Sequence, residues 1–380
     1  MLPAAPYTIP VAGEDWLRPA RAHYVRQSLR RLLDWPLPLP GFLVPPYNAA
    51  RETVASLYRS HPMQVSAALL LPAVGAPLHA GALGIARPTL LLELARRRLL
   101  PAEGVWWSAP VAALTNPPLG VARRYDPPLV GVLFMPGRVS TARHDEWELV
   151  GIEDAFRGLA CGGWFALGDA NPLAHIDAHP EKAGNTIALG EASTETWMVR
   201  INEARALIRG VLPDLASEHE LILSCITPVG TDAERSLSAS YREAIGQVYV
   251  SLHPDPVIMA EALVHECQHN KANLLSYSDP LLQNADTFVV SPVRPDLRPL
   301  WGLLLAVHAF LPVEAMLREL VALGSYPTAP ERLRAVRRVN REGMAVLRQE
   351  AVTTVIGARL LAGLDALARE FDASPLLDGG

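Results

Sequence analysis

Cysteine is scarce in this chain. Three among 380 residues, Cys161, Cys225 and Cys267, stand too far apart for a disulfide framework or a CxxC pair. That usage points to a reducing cytoplasm and away from small secreted, disulfide-stapled proteins. No charge of one sign dominates: 34 Lys and Arg face 39 Asp and Glu, a net charge of −5. Such a balance gives no global pull on nucleic acid or on an anionic membrane. The N-terminus has no basic start followed by an apolar run, so no signal peptide is expected. The richest apolar stretch, LWGLLLAVHAFLPV at 300–313, contains a histidine and a proline and is too short to span a bilayer. Membrane, secreted and fibrous classes are thereby set aside. With 50 % apolar and 19 % charged residues the chain can build a packed core and is not expected to be disordered.

Proline, by contrast, is abundant at 34 residues and clusters in the first half, in WPLPLPGFLVPPYN (35–48), NPPLG (116–120) and YDPPL (125–129). Segments of this kind cannot be long helices or central strands. Apolar spacing predicts helices over 14–34, 49–71 and 88–100. Short β-branched and aromatic runs between turn signals predict strands within 104–168, and again at 220–230, 244–252 and 286–292. Helices are predicted over 194–218, 254–276, 298–323 and about 329–371. The expected fold is α+β, predominantly helical, with one small antiparallel sheet from 104–168 and 220–252 packed under the later helices. The strands do not alternate with helices at βαβ spacing. Two regions are expected, 1–165, Pro-rich and a possible peptide-binding part, and 166–380, which carries the chemistry; a single continuous domain is the alternative.

That chemistry is announced by VHECQHN, an HExxH motif made of His265, Glu266 and His269. Histidines at i and i+4 lie on one face of a helix one turn apart, so their imidazoles can converge on one metal ion with the Glu beside them. In a chain of this size and composition the pattern arises by chance with a probability of about 0.02. Two imidazoles do not complete a site. His308 is the only histidine in the next 60 residues. It is read as the third ligand, against the plainer reading of a core histidine, with Glu314 as its rival. Arg294 and Arg298, set among Pro292, Pro295 and Pro299, suit a carboxylate clamp, because guanidinium pairs bidentately with carboxylate; an ordinary surface loop is the other reading. Ser238, Ser240 and Tyr241 precede a strand and are candidates for a substrate-lining edge. His175, Asp177 and His179 form an HxDxH pattern, which the following Pro180 and turn residues place in a loop. Asn270, Lys271 and Asn273 are read as the solvent-facing continuation of the HExxH helix. The donor types suit iron and zinc alike.

The run SLSASYREAIGQVYVSLHPDPVIMAEALVHECQHNKANLL, followed by SPVRPDLRPLWGLLLAVHAF, resembles the HEXXH-motif proteins encoded beside ribosomally synthesised, modified peptides; DANPLAHIDAHPEKAGNTIALGEASTETW (169–197) is similar to the block that precedes it in that family. The resemblance covers about residues 165–325, a little under half of the chain. It implies an iron(II)- and 2-oxoglutarate-dependent dioxygenase that β-hydroxylates a side chain of a ribosomal precursor peptide with O2. His265, His269 and His308 would then hold iron, Arg294 or Arg298 the 2-oxo acid, and Glu266 would orient a ligand. Two alternatives stay open. A zinc metallopeptidase would use Glu266 as general base. A non-catalytic, peptide-binding maturation partner would keep only a structural metal.

Overall fold

The computed structural model describes residues 7–10, 15–33, 44–141, 144–148, 155–176, 184–292 and 296–374. The chain opens with helices α1 (Leu17–Leu33), α2 (Val44–Ser60), α3 (Pro62–Leu69), α4 (Pro72–His79) and α5 (Leu83–Arg96). Pro62 and Pro72 stand at the first turns of α3 and α4, where a missing N–H costs nothing. Strands β1 (Val105–Trp107), β2 (Val111–Asn116), β3 (Val121–Leu129), β4 (Val132–Met135), β5 (Arg138–Thr141) and β6 (His144–Glu148) follow. They form an antiparallel sheet in the order β1-β4-β5-β6 and a separate β2-β3 ribbon. Pro127 and Pro128 are tolerated in β3 because that ribbon is only two strands wide.

The second half contains β7 (Phe156–Gly158), β8 (Trp164–Ala166), α6 (Thr194–Val211), α7 (Pro213–Ile222), β9 (Cys225–Thr231), β10 (Ser238–Ala239), β11 (Gln247–Leu252) and α8 (Pro256–Ser276). After these come β12 (Phe288–Val289), β13 (Arg298–Pro299), α9 (Leu300–Leu323), α10 (Ala329–Glu350) and α11 (Val355–Ala373). Pro213 splits the helix expected over 194–218 into α6 and α7. Thr354 ends the expected 329–371 helix by capping a fresh one, accepting a hydrogen bond from the Gly357 N–H at 3.0 Å.

The fold is mixed α+β, 54 % helical, but the expectation of one small antiparallel sheet is corrected. The strands of 105–148 make their own sheets, and the sheet beneath the later helices is a mixed one, β10-β11-β9-β8-β7. Its centre is parallel, β8 with β9 and β9 with β11, while the outer pairs are antiparallel. The reason is that β8 and β9 are joined through α6 and α7, a crossover that returns the chain in the same direction. Every residue of β11 is buried, as a strand covered on both faces requires.

Two large hydrophobic cores result, beside a small cluster of Phe156, Ala166 and Cys225. One gathers Val25 through Val139; the other joins residues of 159–371 to Tyr7, Ile9, Trp16, Ala20 and Tyr24. The start of the chain thus packs with the second half, and α1 serves both cores. Helix α9 runs ten residues beyond the apolar stretch read from sequence and is long and apolar enough to cross a membrane, yet 78 % of that stretch is buried inside the protein. It is a core helix.

Candidate metal centre and its cleft

Helix α8 starts where Asp255 accepts a hydrogen bond from the Val257 N–H at 2.8 Å, with Pro256 in its first turn. It is almost wholly enclosed, and its Asn270 and Lys271 find partners within the protein rather than in solvent. This corrects the solvent-facing reading of Asn270, Lys271 and Asn273, all buried. Lys271 is 0 % exposed. Its ammonium donates to Glu218 Oε2 at 2.7 Å and to the Thr8 carbonyl at 3.0 Å, and lies 4.7 Å from the Trp16 ring centre. Trp16 Nε1 donates to the same Glu218 carboxylate at 2.6 Å. Asn270 accepts from the Gly246 N–H at 2.7 Å and donates to the Gln247 carbonyl, pinning the helix to the start of β11.

The opposite side of α8 floors a cleft of about 570 Å³. His265 and His269 line it, their ring centres 4.4 Å apart, the convergence that the i, i+4 spacing predicts. Phe310 packs edge-on against the His265 ring at 4.5 Å. Burial lowers the pKa of His269, the neighbouring Glu266 carboxylate opposes that shift, and the Arg298 guanidinium adds to it. Its Nε2 is buried and has no hydrogen-bond partner among the described residues. A buried, unpartnered imidazole nitrogen beside a second imidazole fits a metal ion, so His265 and His269 suit two of its ligands.

Glu266 is 3 % exposed, and both its oxygens are taken. Ser238 Oγ donates to Oε1 and Ser240 Oγ to Oε2, each at 2.7 Å. Residues two apart on a strand point to one face, so β10 and the residue after it aim both hydroxyls at α8. Ser238 and Ser240 do line the cleft, as expected. Tyr241 turns to the other face, where its hydroxyl donates to the Ile176 carbonyl at 2.7 Å and accepts from Asn185 Nδ2 at 2.6 Å. It fastens a loop and is not among the residues lining the cleft.

His308 is not brought to the histidine pair. The stripe of α9 facing the cleft includes Gly302, Leu305, Ala306 and Phe310, and His308 stands about a third of a turn away from it. Its Nε2 donates to the Tyr7 carbonyl at 2.7 Å, and burial pushes its pKa down to about 3. Its Nδ1 is buried without a hydrogen-bond partner among the described residues, as His269 Nε2 is; the bond to Tyr7 and the place off the cleft lining are what favour the core-histidine reading. Among the described residues no three His, Cys, Asp or Glu side chains are grouped to hold a metal. Glu314, the rival of His308, is buried and accepts from Asn340 Nδ2 at 2.8 Å beside Arg337 and Arg318. Arg298 lines the cleft near His269. Arg294, Asp177 and His179 lie outside the described residues, and His175 is exposed.

Among the cleft residues that escaped the sequence reading are His253, Glu261 and Arg332. Glu261 is one helical turn before His265, a signal available in advance. Arg332 comes from α10 and pairs bidentately with Glu261, Nε to Oε2 at 2.9 Å and Nη2 to Oε1; nothing local in sequence announces that contact. Compared with family models and with curated proteins, the chain matches none.

Proposed function

We propose that the chain is an iron(II)- and 2-oxoglutarate-dependent dioxygenase that β-hydroxylates a side chain of a ribosomal precursor peptide. The resemblance of about residues 165–325 suggests the class. The observation that carries it against a zinc peptidase is the grip on Glu266. A peptidase needs this carboxylate free to take a proton from a metal-bound water. Here each oxygen is held by a serine hydroxyl at 2.7 Å, which suits a group that fixes charge and orientation beside the imidazoles.

In this reading His265 and His269 would supply two of the ligands of iron(II), and Phe310 fixes the His265 ring. Arg298 takes the distal carboxylate of 2-oxoglutarate in a bidentate pair. Iron, with 2-oxoglutarate and O2, supplies the oxidising power that inserts oxygen into a C–H bond while the 2-oxo acid becomes succinate and CO2. The rest falls to the chain: the trough along α8, walled by residues 234–240 and by α9, aligns an extended peptide so that one β-carbon faces the histidines.

The test is succinate formation from 2-oxoglutarate after anaerobic loading with iron(II) and admission of O2, with a gain of one oxygen in a precursor peptide. Peptide-bond cleavage by the zinc-loaded protein, without succinate, would overturn the reading in favour of the peptidase. A peptide bound but unaltered under both conditions would leave the maturation partner.

A further inference from the structure

The cleft does not end at the histidine pair. Its floor follows α8 back from His269 through Glu261 to Ile258, and its far end is built by Arg332 and His253. Glu261, 8 % exposed, grips Arg332 through Nε and Nη2. That grip orients the guanidinium and leaves Nη1 without a partner among the described residues. His253 Nδ1 accepts from the Asp255 N–H at 3.0 Å, which leaves Nε2 as the donor of the ring. Two donors of fixed orientation therefore stand at this end of the trough. At 1.5 Å of rise per residue, Glu261 lies about 9 Å along α8 from the midpoint of His265 and His269. An extended chain covers that distance in about three residues.

We propose that Arg332 and His253 form a second recognition point of the same groove, which takes a carboxylate side chain of the substrate about three residues from the residue presented to the histidines. Arg332 is the specificity-determining group, and Glu261 positions it. The inference rests on the extended-peptide reading above. A second carboxylate suits a guanidinium already held on one edge, because its remaining N–H groups form charge-assisted hydrogen bonds without further ordering of the side chain.

The probe is a displayed heptapeptide library with all twenty residues at every position, panned on the full chain and on Arg332→Gln. Because Arg332→Gln leaves Glu261 buried without its cation, Glu261→Gln/Arg332→Gln is panned beside it, and thermal melting checks that all three are folded. The wild-type pool should be enriched about tenfold in Asp or Glu at one aligned position, and both variants should lose that enrichment while still retaining peptides. Peptides retained with the same profile by all three proteins would overturn the subsite and leave the peptide reading standing. Recovery by the wild type no better than on protein-free beads would overturn the peptide reading, and the subsite with it.

Discussion

The two sides of α8 are built to opposite rules. Toward the core, Lys271, Asn270 and their partners are closed on one another: an ammonium with a carboxylate, a carbonyl and an indole, an amide with two backbone groups. Toward the cleft, two imidazoles sit side by side and a buried nitrogen of one has no partner among the described residues. The polar groups named on the closed side maintain the helix; on the open side the buried Nε2 of His269 is available to a ligand. Substitutions on the two sides should therefore fail in different ways.

The largest effect is expected on the closed side. Lys271→Met leaves Glu218 buried without its cation and should cost about 3–5 kcal/mol, read as a lower denaturant midpoint. Lys271→Met/Glu218→Leu should recover most of that loss. On the open side, His265→Ala or His269→Ala should weaken metal binding more than about a hundredfold, measured by competition with a chelator. The metal-free protein should lose no more than about 1 kcal/mol. Equal destabilisation on both sides would dissolve the distinction.

His308 decides where the border runs. If it belongs to the closed side, His308→Ala should cost about 2–3 kcal/mol of stability through the lost hydrogen bond and cavity, with metal affinity near wild type. Metal lost with stability kept would make it a ligand after all. Acid sharpens the same point. Burial pushes His79, His219 and His308 down to about 3 from an ordinary 6.5. Between those values the unfolded chain binds more protons than the folded one, so stability is whole above 6.5 and falls as the pH drops toward 3. Each histidine should cost about 2 kcal/mol at pH 5, and the stability of His308→Gln should depend less on pH by that amount. The smallest effect is expected at the supports of Glu266: Ser238→Ala or Ser240→Ala should lower metal affinity by about tenfold, with a change in melting temperature of only a few degrees.

Local signals carried much of the element list. Helical spacing placed α1, α6, α8 and α9, and the i, i+4 histidines converge as their spacing requires, but the helix expected over 49–71 is broken before Pro62, and Pro77 and Pro88 stand inside α4 and α5. What sequence did not yield are relations between distant segments. The parallel pairing of β8 with β9 depends on a crossover through α6 and α7, and strand direction leaves no mark in composition. Lys271 looked solvated because Glu218 and Thr8 are remote in sequence. His308 was sought as a ligand for its residue type, whereas its place on the side of α9 away from the cleft depends on how that helix is rotated. Arg332 reaches Glu261 across 71 residues, and no local pattern predicts such a pair.

The carbonyls of Tyr7 and Thr8 are captured by His308 and Lys271, contacts that span 301 and 263 residues. These bonds set a timetable for folding. At a synthesis rate of about 5–20 residues per second, the first residues wait roughly 15–60 s before the side chains that receive them exist. The core around residues 25–139 can close while the chain is still being made. The core behind α8 cannot, because two of its walls are separated by 263 to 301 residues of synthesis. Completion of the half that carries the histidine pair is thus a late, long-range closure, and a slow refolding phase is expected there rather than in the first half.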